Sequence, residues 1–216
     1  MLIKEVQLLT NDLAQTKLFY QDMLGLQLVQ SGHDQLIFQA GLSRLIFILT
    51  RNDMPCYHFA FNLPNNQLEA ALRWMSSKIP LMEISPGNVI ADFINWNAKA
   101  FYFFDNNKNI VEMITRFDLD NASGNPFDGS AIQSVSEVGI VVEDPGMYAL
   151  ELKKKYGIDF YSKQQPARDF IAVGNDEGLL IIVSQNRKWY PTNIRSANYW
   201  CKLTLQLAEA NMEITI

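Results

Sequence analysis

Three times along this chain an apolar strand-like run is followed by a helix pattern and then by more short strands. That order limits the fold more than any other feature. The first unit opens near residues 2–9 with LIKEVQLL, and Asn11 or Asp12 then offers a helix cap. Apolar pairs recur at four-residue spacing behind the cap: Ala14 with Leu18, Phe19 with Met23, Tyr20 with Leu24. Gly25 suits the left-handed position just past a helix end. LQLVQ, QLIFQ and RLIFILT follow as strands, with Gly32 and Gly41 at the turns. The second unit starts at Tyr57 with YHFAFNL and passes through Pro64-Asn65 into a helix whose Leu68, Ala71, Leu72 and Met75 form one stripe. Strands are expected around DFINW, AFYFF and IVEMITR, with a polar turn over Asp105–Asn109. After the Asp-, Asn- and Gly-rich stretch DLDNASGNPFDG, a third unit runs through EVGIVVED, a helix from Pro145 to Tyr156 stopped by Gly157, then FIAVG and LLIIV. KLTLQL and a tail ending in MEITI remain, too little for a complete fourth unit.

Ionisable residues interrupt these apolar runs. His58 stands in CYHFAFNL, Glu112 in IVEMITR and Glu5 in IKEVQLL. A buried imidazole or carboxylate is costly unless it is paired or bound to a metal. Side chains alternate along a strand, so Glu5, Gln7 and Leu9 share one face, as do His58, Ala60 and Asn62. The opposite faces, with Val6 and Leu8 or Phe59 and Phe61, are apolar and suit helices. His33, in SGHDQ, reads as a turn residue.

Composition narrows the function classes. The 23 acidic and 18 basic residues give a net charge of −5 without a basic stripe, which argues against nucleic acid as a partner. Lys153-Lys154-Lys155 reads as a solvated helix end, where cations suit the dipole. The two cysteines, Cys56 and Cys201, lack zinc-type spacing and a disulfide framework, which points to a reducing compartment. No apolar run approaches the ~20 residues of a membrane span. The opening MLIKEVQLLTND does not read as a signal peptide, so a cytoplasmic protein is expected.

Three segments carry a resemblance: FYQDMLGLQL preceded by NDLAQTK; YHFAFNLPNNQLEAALRWM, with its histidine on a first strand; and FYFFDNNKNIVEM, similar to a final hairpin F-x-x-D-P-x-G-x-x-x-E. Together they resemble the vicinal oxygen chelate superfamily, which includes glyoxalase I, extradiol ring-cleaving dioxygenases, fosfomycin-resistance enzymes and bleomycin-binding proteins. The matches span about residues 1–116, and the third unit extends the pattern more weakly. The resemblance implies an α+β fold of repeated βαβββ modules, paired so that curved sheets form a barrel-like cavity, with a third and a partial fourth module. Residues 1–53 and 54–117 would be the paired modules carrying a metal site, 118–130 a linker, and 131–216 a third module plus a terminal strand.

The resemblance also implies metal ligands from the first strand of one module and from the first and last strands of its partner. By position these are Glu5, where many members have histidine, with His58 and Glu112. Leu45 or Phe47 falls where a fourth ligand would stand, and neither coordinates. Glu137 is the matching residue of the third unit, whose last strand LLIIV offers no ligand, so that unit is expected to be metal-free. One histidine and two carboxylates suit a divalent ion such as Mn, Fe, Ni or Zn, acting as a Lewis acid on a small oxygen-rich substrate. Glu5 or Glu112 could double as the catalytic base. Gln7, Asn62, Trp96 and Tyr102 are candidate substrate contacts. Glu5 departs from the two-histidine dioxygenase pattern, and the missing fourth ligand departs from glyoxalase I. The alternative is a non-catalytic, bleomycin-type binding protein in which Glu5 and Glu112 contact a cationic ligand. The expected partners are a small molecule and, through the odd third module, a second copy of the chain as a homodimer; neither nucleic acid nor membrane is expected.

Overall fold

Asp12 begins the first helix by accepting the Gln15 N–H at 2.9 Å, satisfying a donor the helix itself cannot. In the computed structural model, which describes residues 1–51, 53–208 and 210–216, that helix is α1 (Leu13–Lys17), and it continues as a π-helical stretch over Leu18–Met23. Gly25 follows with φ +71°, the left-handed stop expected there. The first unit comprises β1 (Leu2–Thr10), α1, β2 (Gln27–Ser31), β3 (Gln35–Ala40) and β4 (Ser43–Leu49). The second has β5 (His58–Leu63), α2 (Leu68–Ser76), β6 (Ala91–Phe93), β7 (Ala98–Phe104) and β8 (Ile110–Arg116). The third has β9 (Ser134–Val142), α3 (Pro145–Tyr156), β10 (Phe170–Asn175) and β11 (Gly178–Ser184). A hairpin of β12 (Lys202–Leu207) and β13 (Ala210–Thr215) ends the chain. The fold is α+β, a curved mixed sheet with few helices. Among the described residues no helix is long and apolar enough to cross a membrane.

Sheet order corrects the expected pairing of the first two units. The path runs β2-β3-β4-β1-β9-β5-β8-β7-β6, with β11 on β9 and β12 on β1. The second unit therefore joins the third through antiparallel β5 and β9, and the first joins the terminal hairpin through antiparallel β1 and β12. The physical reason lies in the strands' burial. Every residue of β5 is buried, and of β9 all but its last, Val142, so each needs cover on both faces and both edges. In β1 buried and half-buried residues largely alternate, and it pairs with β12, which alternates likewise.

One further departure is local. The segment DFINW is strand only as far as Phe93; Ile94–Trp96 form a 3-10 turn closed by left-handed Asn97 (φ 48°), which turns Trp96 inward. The stretch expected as a linker packs against the second unit: Asn65 Nδ2 donates to the Leu119 carbonyl and Gln67 Nε2 to that of Asn125, each at 2.6 Å.

The turn that delivers β8 is organised by buried Asp105. Its carboxylate accepts from the Tyr20 hydroxyl (2.6 Å), the Asn107 and Asn109 backbone N–H groups (2.9 and 2.8 Å) and Asn109 Nδ2 (2.8 Å). Burial nonetheless pushes this carboxyl from 3.8 up to about 6, with those hydrogen bonds pulling it down. A folded pKa above the unfolded one means a contribution fully present below pH 3.8 and lost as pH rises through 6. From pH 4 to 7 the wild type should therefore lose ~2 kcal/mol relative to Asp105→Asn, read as the change in their stability difference in urea unfolding.

Candidate metal centre

Three neighbouring strands place three ionisable side chains on one face. In the parallel pair β5–β8, Ala60 stands opposite Glu112; in the antiparallel pair β5–β9, the same Ala60 stands opposite Glu137. The two carboxylates therefore flank a residue with almost no side chain, each one strand away, a spacing of ~4.8 Å. His58 lies two residues from Ala60 on β5, hence on the same face. One potential ligand atom from each of His58, Glu112 and Glu137 lies within 4.8 Å of the others, and all three residues are buried. These side chains could together hold a metal ion.

The electrostatics follow from that burial. His58 Nδ1 is 3.1 Å from the Ile110 carbonyl oxygen, which only accepts, so Nδ1 carries the proton and donates it there. Nε2 then presents a lone pair, 3.6 Å from Glu112 Oε2. Burial lowers the imidazole pKa to about 4, so at neutral pH this contact is not an ion pair. Glu112 is pushed well above the usual carboxylate range, first by burial and then by the Glu137 charge, while Tyr102 and Arg116 pull it down. Glu137 is raised by burial against the lowering effect of Arg116. A lone-pair nitrogen beside two buried carboxyl groups is a donor set that can take up a cation.

A cavity of about 680 Å³ opens onto this trio, walled by Phe93, Trp96, Tyr102, Phe170, Trp189 and Tyr190. Trp189, from the segment after β11, lies with its ring centroid 5.1 Å from that of His58. It fits because residue 139 is glycine: a Cβ there would stand 2.6 Å from Trp189 Cη2. On β11, Ile181 pairs with Gly139 as Glu112 pairs with Ala60, so the fourth corner of the site is apolar.

The expected site residues divide. His58 and Glu112 come together, and Trp96 and Tyr102 line the cavity. Glu5 does not join them. It lies on β1, 3.6 Å from Arg44 and 3.4 Å from the Thr204 hydroxyl, with its side chain 30% exposed. Gln7 shares that strand, between Ile46 and Lys202, and Asn62 is turned to Ser134 Oγ (3.3 Å) and the Glu177 carbonyl (3.4 Å). Glu5 and Gln7 are displaced because the first unit joins the terminal hairpin, so their face meets Thr204 and Lys202 instead of the second unit. Glu137, expected to stand alone in a metal-free unit, is the third member of the trio and its second carboxylate. Its sequence signal is the same as that of the others, an ionisable residue in an apolar strand, and the pairing of β9 with β5 gives it partners. Arg116 and Trp189 carried no pattern that marked them.

Searches against protein-family models and against curated proteins return no match to this sequence. Solved structures do match. A putative dioxygenase from Bacillus subtilis subsp. subtilis str. 168 superposes with a TM-score of 0.62 at 16% identity, over 85% of this chain and 63% of that protein. A glyoxalase I mutant from Zea mays superposes with a TM-score of 0.57 at 13% identity, over 90% of this chain and 70% of that one. The chain thus spans less than two thirds of the Bacillus protein. What this chain shares with these two proteins is therefore their fold.

Proposed function

We propose that this chain is a metal-dependent enzyme acting on a small oxygen-bearing molecule, with His58, Glu112 and Glu137 holding a divalent ion. The carrying observation is the convergence of one unprotonated imidazole nitrogen and two carboxylates within 4.8 Å at the end of a cavity. The donors fit such an ion: one nitrogen and carboxylate oxygens suit Mn, Fe, Ni or Zn. The Nδ1–H bond to the Ile110 carbonyl is the kind of outer contact that fixes a ligating histidine. When bound, the ion would supply Lewis-acid polarisation of substrate oxygens.

The chain's own residues supply the rest. Tyr102, beside Glu112, steadies that carboxylate, while the aromatic walls take a flat or apolar substrate body and exclude water. Glu112, which lines the cavity, is the carboxylate placed to accept a substrate proton. The dioxygenase and glyoxalase I folds found among solved structures accord with this class of reaction. The non-catalytic reading fares worse, since its cation contact Glu5 is engaged by Arg44 away from Glu112. Elemental analysis after reconstitution with Mn, Fe, Ni or Zn tests the proposal, with His58→Ala alongside. Stoichiometric metal in the wild type and little in the variant is expected. No metal in the wild type would sink the reading.

A further inference from the structure

Arg116 enters none of the steps above, yet it is the largest fully buried side chain in the described residues. On β8 it follows Glu112 by four residues, so it points to the same face. Nη2 donates to Glu137 Oε1, Nε to Ser136 Oγ at 3.3 Å and Nη1 to the Tyr161 hydroxyl at 3.4 Å. Nη1 also lies 3.7 Å from Asp176 Oδ1. Asp176 is in turn held by the Tyr161 hydroxyl and by Lys163 at 2.6 Å, and Lys163 reaches Asp118 at 2.7 Å. Arg116 thus joins Glu137, inside the cavity, to a row of alternating charges that ends at the surface. Asp176 alone would give the guanidinium an opposite charge. Its planar fork spreads its donors over three partners, and Nη2 is the one that takes Oε1 of Glu137.

We propose that Arg116 is a positioning residue: by taking one carboxylate oxygen of Glu137, it presents Glu137 to the metal as a one-oxygen ligand. That keeps a coordination position free for substrate, at a site whose fourth corner is already the non-coordinating Ile181. The inference rests on the metal-enzyme reading above.

Arg116→Lys is the informative variant, because lysine keeps the charge and removes the fork. Cobalt(II) binding is measured by competition with a chromophoric chelator, and the visible bands of the bound ion report its coordination. The variant should bind Co(II) about 10–100-fold more weakly, as when an outer partner of a ligand is lost, with altered bands. Affinity and bands equal to the wild type in a folded Arg116→Lys protein would overturn the proposal. Should that variant fail to fold, Asp176→Asn loosens the other end of the same guanidinium. It should shift the bands with a smaller loss of affinity, and unchanged bands would again overturn the proposal. A wild type that binds no Co(II) sinks the metal reading and this inference together. A wild type that binds it beside an unaltered variant sinks only the role of Arg116.

Discussion

Glu137→Gln is expected to lower metal affinity by more than about 100-fold, the upper end for loss of a mere outer partner, while Glu5→Gln leaves it unchanged. The two glutamates are alike in sequence context, and the contrast isolates the effect of strand pairing. Glu137 is opposite Ala60 and within reach of His58 and Glu112; Glu5 is on another strand pair beside Arg44. Glutamine is the right replacement because its carbonyl still accepts from Arg116, whereas alanine would strand a buried guanidinium at a cost of about 3–5 kcal/mol. Thermal unfolding with and without metal gives the readout. An ion at a hundred times its dissociation constant adds about 2.7 kcal/mol to the wild type, so Tm should rise in the wild type and in Glu5→Gln but not in Glu137→Gln. A Glu5→Gln protein that loses the metal-induced rise would refute the assignment of the third ligand.

Trp189→Ala is expected to destabilise the fold by about 3–5 kcal/mol, the usual cost of truncating a buried aromatic. The ring is 4% exposed and lies across Gly139 and His58. Gly139→Ala attacks the same contact from below. Its Cβ would meet Trp189 Cη2 at 2.6 Å and Cζ2 at 3.1 Å, and a rigid indole yields only by moving bodily, at about 1–3 kcal/mol. The two losses should add only in part: once Trp189 is alanine, the tight contact left for a Cβ at 139 is the His58 carbonyl oxygen at 3.2 Å. A double-mutant cycle in urea measures this coupling. Full additivity would show that the glycine is there for another reason. Opening this cover should also let water reach His58 and move its pKa up from about 4, visible by NMR titration of the ring protons.

Much of the architecture was legible because it is written in local patterns. The cap at Asp12, the stop at Gly25 and the helix from Pro145 to Tyr156 ending at Gly157 each depend on a few adjacent residues. The same is true of IVEMITR, a strand over its whole length, and of the burial of His58 and Glu112 within apolar runs. Where a local signal competes with a tertiary one, the tertiary one prevails. DFINW has the composition of a strand, but its end is bent by Asn97 so that Trp96 can pack against Tyr161 and donate to Gln164 at 3.0 Å.

Sequence alone determined that this chain builds strand–helix–strand units and that certain strands hide an imidazole or a carboxylate. Alternation, capping and glycine stops act over a few residues, so they survive without knowledge of neighbours. Only the tertiary structure decided which hidden groups meet. Pairing β5 with β9 instead of β1 replaces Glu5 by Glu137 across Ala60, brings the segment after β11 over His58, and sets Arg116 against the new carboxylate. The choice belongs to strand edges and buried faces far apart in the chain. It is settled by the need to cover strands buried on both sides, a property of the whole sheet and of no single segment.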